Sequence, residues 1–133
     1  MKKYHEIKVR VRYAETDQMG VVYHGNYVEY LEIGRVEWLR SMGISYREME
    51  ENGTILPIIS LKVDYKKPAK YDDVLTVKTM LSGKPSIKII FNYEITNEKG
   101  DLIAIASTTL AFIDKKSGKP MKCPEIISDK LTD

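Results

Sequence analysis

The amino-acid sequence predicts an α+β fold: a mostly antiparallel sheet of five or six strands wrapped around one long central helix. Three observations carry that prediction. Apolar and charged residues alternate strictly over residues 7–13, the period of a half-buried strand. From Tyr27 to Met42 the apolar spacing changes to three and four, the period of a helix face. After Pro57 the period of two returns and persists almost to the end of the chain, broken by short turns. One strand, one helix and then a run of strands is the order of an α+β domain with an antiparallel sheet.

The first strand places Ile7, Val9, Val11 and Tyr13 on one face and Lys8, Arg10 and Arg12 on the other. The helix runs from about His24 to Met42. Its apolar stripe is Tyr27, Tyr30, Leu31, Gly34, Trp38 and Met42, with Glu29, Glu32, Glu37 and Arg40 off it. Gly43 suits a left-handed C-terminal cap. Gly34 in mid-stripe costs about 1 kcal/mol relative to Ala, a cost that a close approach of the curved sheet would offset. A short second helix over residues 46–51 ends at Asn52-Gly53. The later strands carry Ile59, Leu61, Val63 and Tyr65; then Leu75, Val77, Thr79 and Leu81; then Ile87, Ile89, Phe91, Tyr93 and Ile95. Turns containing Pro68 and Gly83 separate them. Asn97-Glu98-Lys99-Gly100 is a four-residue hairpin signal, and the strand after it is apolar on both faces, as a central strand should be.

The 133 residues fit a single domain spanning residues 1–133, and 43% apolar residues suffice for a core without disulfides or metal. Lys plus Arg number 21 and Asp plus Glu 19, a net charge of +2, which disfavours a dedicated nucleic-acid binder. Cys123 is the single cysteine, in keeping with a reducing cytoplasm. The longest uncharged run, residues 102–113, falls well short of the roughly 20 apolar residues of a membrane span. The first 13 residues carry charges throughout, so no secretion signal is expected and the expected location is cytoplasmic.

Residues 13–27 read Tyr-Ala-Glu-Thr-Asp-Gln-Met-Gly-Val-Val-Tyr-His-Gly-Asn-Tyr, between the first strand and the helix. Two carboxylates, a glycine and a histidine precede a helix N-terminus whose unpaired N–H groups and positive dipole end favour negative charge. Such a terminus can hold an oxyanion. Asp17, seven residues before His24, can serve on the far side of a bound carbonyl as general base or nucleophile. The same residues have plain structural uses too, Asp as a turn or cap residue and His as a hydrogen-bonded polar group. Glu15 points the other way if the strand continues, which assigns it to the surface. No metal site is expected, because His24 has no second His or Cys in reach and His5 falls in a terminus expected to fray.

Arg12-Tyr13 through Asp17, Gly20-Val21-Val22-Tyr23-His24-Gly25-Asn26-Tyr27 and Glu37-Trp38-Leu39 together strongly resemble the hotdog-fold acyl-CoA thioesterases of the 4-hydroxybenzoyl-CoA thioesterase family. The similarity is greatest to the branch typified by the Tol-Pal-associated short-chain enzymes. A second matching block is Pro68-Ala69-Lys70-Tyr71-Asp72-Asp73-Val74-Leu75, and the element order agrees from about residue 5 to residue 125. The resemblance implies a homodimer, or a homotetramer, with sheets joined edge to edge and active sites at the interface. It places Asp17 on the family's catalytic carboxylate. It counts His24 with Asp17 as catalytic and gives the backbone N–H groups of His24 and Gly25 to the thioester carbonyl; some relatives carry Tyr where His24 stands, so the expected role of His24 is chiefly that of its main chain, with the imidazole as an addition.

The chemistry that follows is hydrolysis of the thioester of a short-chain or aromatic acyl-CoA to free acid and CoA. An oxyanion donor of this kind is worth about 3 kcal/mol. Asp17 either attacks, giving a mixed anhydride that water resolves, or activates water directly. Tyr23, Asn26 and Tyr27 are expected near the substrate. Lys67 and Lys84, the latter with Ser86 in a turn where relatives contact CoA, are the preferred phosphate ligands, although lysines at sheet edges also serve against edge pairing. No cofactor is expected beyond the CoA of the substrate, and an acyl carrier protein presents the same pantetheine arm. Two other readings compete: a non-catalytic acyl-CoA or acyl-carrier binding module of the same fold, and a dehydratase or hydratase acting on acyl thioesters.

Overall fold

The computed structural model describes residues 4–131. Strand β1 (Tyr4–Arg10) pairs with β4 (Val74–Leu81), which pairs with β5 (Lys88–Thr96), then β6 (Leu102–Ala111), then β3 (Ile58–Tyr65). The main sheet therefore has five strands in the order β1-β4-β5-β6-β3, and every pairing is antiparallel. Helix α1 (Tyr27–Ser41) lies across its inner face, against β1 and β4. Helix α2 (Tyr46–Glu51) follows, its Ser45 side chain accepting from the Glu48 N–H as a cap. Gly43 ends the α1 segment at φ +79°, the left-handed residue the sequence predicts.

The close approach expected at Gly34 is present. A Cβ there would sit 2.7 Å from Thr79 Oγ1 and 2.9 Å from a Val77 methyl, so only glycine lets α1 rest on β4. Tyr30, Leu31 and Leu39 of the helix pack into a core with Leu75, Val77, Phe91, Tyr93 and Ile95 of the sheet, and Trp38 meets Phe91 edge-on at 6.0 Å between ring centres. Within this core Arg35 is 3% exposed. It donates to the hydroxyls of Tyr46 (2.8 Å) and Tyr93 (3.1 Å), and Tyr93 shares a 2.6 Å hydrogen bond with Thr108. Burial pushes both tyrosines up, so they remain neutral and the network ties α1 to α2, β5 and β6 by dipoles.

Several expectations are corrected. The first strand stops at Arg10, and Tyr13 enters a single 3-10 turn (Tyr13–Glu15), because the Val11 N–H turns to the Asp73 carbonyl. His5 belongs to β1, opposite Thr79, rather than to a frayed end. Ile59, Leu61 and Tyr65, which the period of two assigns to a buried face, are about half exposed, since α1 covers the β1 side of the sheet and leaves the inner face of β3 open. The sequence also hid a two-stranded sheet, β2 (Thr54–Ile55) with β7 (Ile113–Asp114), and a C-terminal helix α3 (Glu125–Leu131). Two-residue strands show no period, and α3 buries only Ile127 and Leu131, too few for a stripe. No helix among the described residues is long and apolar enough to cross a membrane.

Candidate active site

Residues 13–26 form a compact loop that brings two turns against the start of α1. Thr16 pairs with Val22, the Asp17 N–H donates to the Val21 carbonyl at 2.8 Å, and the Gly20 N–H donates back to the Asp17 carbonyl at 3.0 Å. Gly20 closes this turn at φ +79°, a conformation a side chain would strain. The loop is in turn stitched to the segment before β4, with Val22 donating to Ala69 and Val21 bridging Lys70. Asp17 is half-buried; its Oδ1 accepts the Met19 N–H at 2.8 Å, and its Oδ2 has no partner among the described residues. One carboxylate oxygen is thus anchored while the other is free for chemistry.

Glu15 is the principal correction at the site. Assigned to the surface by strand parity, it is 5% exposed. The 3-10 turn rotates its side chain inward, where Oε1 accepts from the Arg12 N–H (2.9 Å) and the Tyr30 hydroxyl (2.8 Å) and Oε2 accepts from the Arg12 guanidinium (3.0 and 3.1 Å). Its carbonyl accepts from the Tyr23 N–H and from Asn26 Nδ2, both at 2.9 Å. Burial alone would raise this carboxyl, but the Arg12 N–H, the Tyr30 hydroxyl and the Arg12 guanidinium together hold it below its ordinary value. Burial together with this hydrogen bond holds the Tyr30 hydroxyl far above its own. Glu15 therefore pins the loop to α1 and fixes Asn26 at the helix entry.

The helix entry is a 3-10 turn, His24–Asn26, that leads into α1 at Tyr27. The N–H groups of His24 and Gly25 precede any intrahelical acceptor, and neither donates to a described carbonyl. The Tyr23 ring lies over the His24 imidazole at 4.2 Å between centres, and a Cβ on Gly25 would stand 2.8 Å from that ring, so a side chain there would push the half-exposed Tyr23 ring aside. Beside this turn a shallow cleft of about 240 Å³ is lined by Val22, His24, Tyr27, Tyr65 and Lys66–Pro68. Tyr65 donates from its hydroxyl to the His24 carbonyl at 2.9 Å. Its ring packs edge-on against Tyr27 (5.2 Å), which packs edge-on against Tyr30 (5.8 Å).

The structure brings Tyr23, His24, Gly25, Asn26, Tyr27 and Lys67 together, with Asp17 in the adjoining turn. Lys67 also pairs with Asp101 at 2.9 Å. Lys84 and Ser86 are exposed in the β4–β5 turn, at the opposite end of the sheet from the loop, so one protomer does not bring them to His24. Among the described residues no three of His, Cys, Asp and Glu gather as metal ligands. Sequence reasoning missed Glu15 as an anchor and the Tyr65 bond to His24. The Arg12-x-x-Glu15 spacing was the available sign of the first, and the second had none.

Residues 11–131 match the thioesterase-like superfamily, so the chain belongs to this family of hotdog-fold thioesterases. The five-stranded sheet around one helix is that fold. YneP of Bacillus subtilis (strain 168), named as a candidate acyl-CoA thioesterase, is 36% identical over 92% of this chain and 88% of its own length. The acyl-CoA thioester hydrolase YbgC of Escherichia coli O6:H1 is 31% identical over 90% of this chain and 89% of its own. The solved structure of a DHNA-CoA thioesterase from Staphylococcus aureus superposes with a TM-score of 0.86 at 40% identity, covering 90% of this chain and 80% of that one. Fold and family make the protein a thioester hydrolase.

Proposed function

We propose that this protein hydrolyses short-chain or aromatic acyl-CoA thioesters, with Asp17 as the reacting carboxylate and the N–H groups of His24 and Gly25 as the oxyanion site. The observation that carries this reading is one loop that holds a carboxylate with an oxygen unpartnered among the described residues and leads into two helix-start N–H groups that donate to no described carbonyl. A thioester carbonyl held by those donors and the positive end of α1 becomes more electrophilic, and its developing negative charge falls where the donors point. Asp17 then attacks the carbonyl carbon or takes a proton from the attacking water; the sulfur leaves as CoA thiolate and the acid is freed. His24 contributes its main chain, and its imidazole is not required. The chemistry uses no metal and no cofactor besides the CoA of the substrate.

The working unit is a homodimer, or a homotetramer built from it. The inner face of β3 exposes Ile59, Leu61 and Tyr65, and the outer edge of β3 has no partner strand among the described residues. Pairing two β3 edges about a twofold axis sets them antiparallel, so the Tyr65 end of one protomer meets the Ile58 end of the other. Lys84 and Ser86, at that Ile58 end, then approach the partner's helix entry and join its Lys67 around the CoA phosphates. A cytoplasmic location, where CoA thioesters are formed and used, fits this reading.

The test is release of free thiol from a panel of aliphatic and aromatic acyl-CoAs, with acyl carrier protein thioesters alongside, in the presence and absence of EDTA. Turnover that EDTA leaves unchanged supports the reading. Binding without thiol release would replace it with the non-catalytic module. Light scattering at micromolar concentration should give an even-numbered oligomer, with activity lost on dilution to monomer.

A further inference from the structure

We propose that Tyr65 is a positioning residue for the oxyanion site: its hydroxyl, by holding the His24 carbonyl, aims and strengthens the N–H of Gly25. The inference rests on the oxyanion reading above and adds to it a residue outside the 13–27 segment, on the outermost strand of the sheet. The His24 carbonyl and the Gly25 N–H are two ends of one peptide unit. No peptide bond among the described residues is cis, so this unit is trans and planar, and its C=O and N–H point in opposite directions. A donor that fixes the carbonyl therefore fixes the N–H. Tyr65 donates to that carbonyl at 2.9 Å, so the Gly25 N–H is directed away from Tyr65.

Two further features make the bond a deliberate constraint. A first-turn peptide ahead of α1 has few bonds of its own, and the absence of a Cβ at Gly25 leaves its backbone freer than at any other residue type. Beyond the bonds of the 3-10 turn itself, it is held from outside by the Tyr23 ring on one side and Tyr65 on the other. Tyr65 is itself held by the edge-on series Tyr65, Tyr27 and Tyr30, which ends in the hydrogen bond from Tyr30 to buried Glu15. The second feature is electronic. Donation to an amide oxygen polarises the whole amide and makes its N–H a stronger donor, so the effect is transmitted to the opposite end of the same peptide. It grows as negative charge develops on the thioester oxygen, and so favours the transition state over the bound substrate.

Three measurements on the full-length protein test this. With benzoyl-CoA as probe, Tyr65→Phe should lower kcat about ten-fold, less than the 100-fold or more expected on losing an oxyanion donor outright, with KM within two-fold and an unchanged melting curve. Tyr65→Phe keeps the ring that packs on Tyr27. A Phe variant with wild-type kcat, beside a Tyr65→Leu variant that loses it, would assign Tyr65 to packing and overturn the proposal. The direct readout is the infrared carbonyl stretch of ¹³C-labelled benzoyl-CoA bound to Asp17→Asn, which slows turnover. That stretch should lie below its value in solution, and adding Tyr65→Phe should move it part of the way back. A lowered stretch that Tyr65→Phe leaves in place would refute the role of Tyr65 alone. A stretch not lowered at all would refute the oxyanion site itself and the proposal with it.

Discussion

Two turns, two residues apart, carry the two carboxylates of the site loop and treat them in opposite ways. In the Tyr13–Glu15 turn the Glu15 side chain is buried, accepts four hydrogen bonds and is held in its charged form. In the neighbouring Asp17–Gly20 turn the Asp17 side chain is half-buried and gives one oxygen to the Met19 N–H, with the other unengaged among the described residues. A carboxylate whose lone pairs are taken can neither attack nor accept a proton, whereas one that is anchored by a single oxygen is oriented and still reactive. The difference gives Glu15 an architectural part and supports the chemistry proposed for Asp17.

The sharpest way to break that division is to exchange the readouts. Asp17→Asn should lower kcat by roughly 100-fold or more while leaving the melting curve and CoA binding close to wild type. Glu15→Ala should do the reverse in emphasis. It strands the buried Tyr30 hydroxyl and releases the Arg12 main-chain N–H and guanidinium, costing about 2–3 kcal/mol of stability, with activity falling because the loop is no longer fixed to α1. Equal losses of stability in the two variants would contradict the division. His24→Ala is expected to reduce kcat less than Asp17→Asn does, since the proposed donor is the main chain; an equal or greater loss would bring the imidazole into the chemistry.

Acid separates the two turns without mutation. Because the Glu15 carboxyl is held below its ordinary value, its contribution to stability is fully present above the normal Glu range and is lost as pH falls through the lowered folded-state value. Below about pH 4, amide exchange in residues 13–26 should accelerate before the core opens. Glu15→Gln should remove this acid-sensitive step. The smallest effect is a control away from both turns: burial pushes the Cys123 thiol up to about 11, so it should react slowly with thiol reagents at neutral pH and add little background to CoA release assays.

What the sequence could reveal follows the range of each interaction. The helix, its Gly43 cap, the closeness at Gly34 and the later period-two strands depend on neighbours a few residues apart or on one face, and all are present, with shifts only at their ends. The failures came where the chain changes period or reaches across the fold. Glu15 was placed on the surface because strand parity was carried through a residue that opens a 3-10 turn. Ile59, Leu61 and Tyr65 were read as buried because a period of two shows that a face is apolar but not what covers it. Residue type and spacing made Asp17 and His24 candidates, and the family resemblance supplied their proposed roles and that of the Gly25 N–H. The bond from Tyr65 spans 41 positions, and no local pattern marks it.

The measurement closest to the centre of this picture is thiol release from an acyl-CoA that the wild-type protein turns over, followed for Asp17→Asn under single-turnover conditions with its melting curve taken on the same sample. If Asp17 is the reacting carboxylate, the variant melts like wild type, binds the acyl-CoA and releases thiol at least about 100-fold more slowly. A folded Asp17→Asn protein that releases thiol at the wild-type rate would show that the reacting group lies elsewhere.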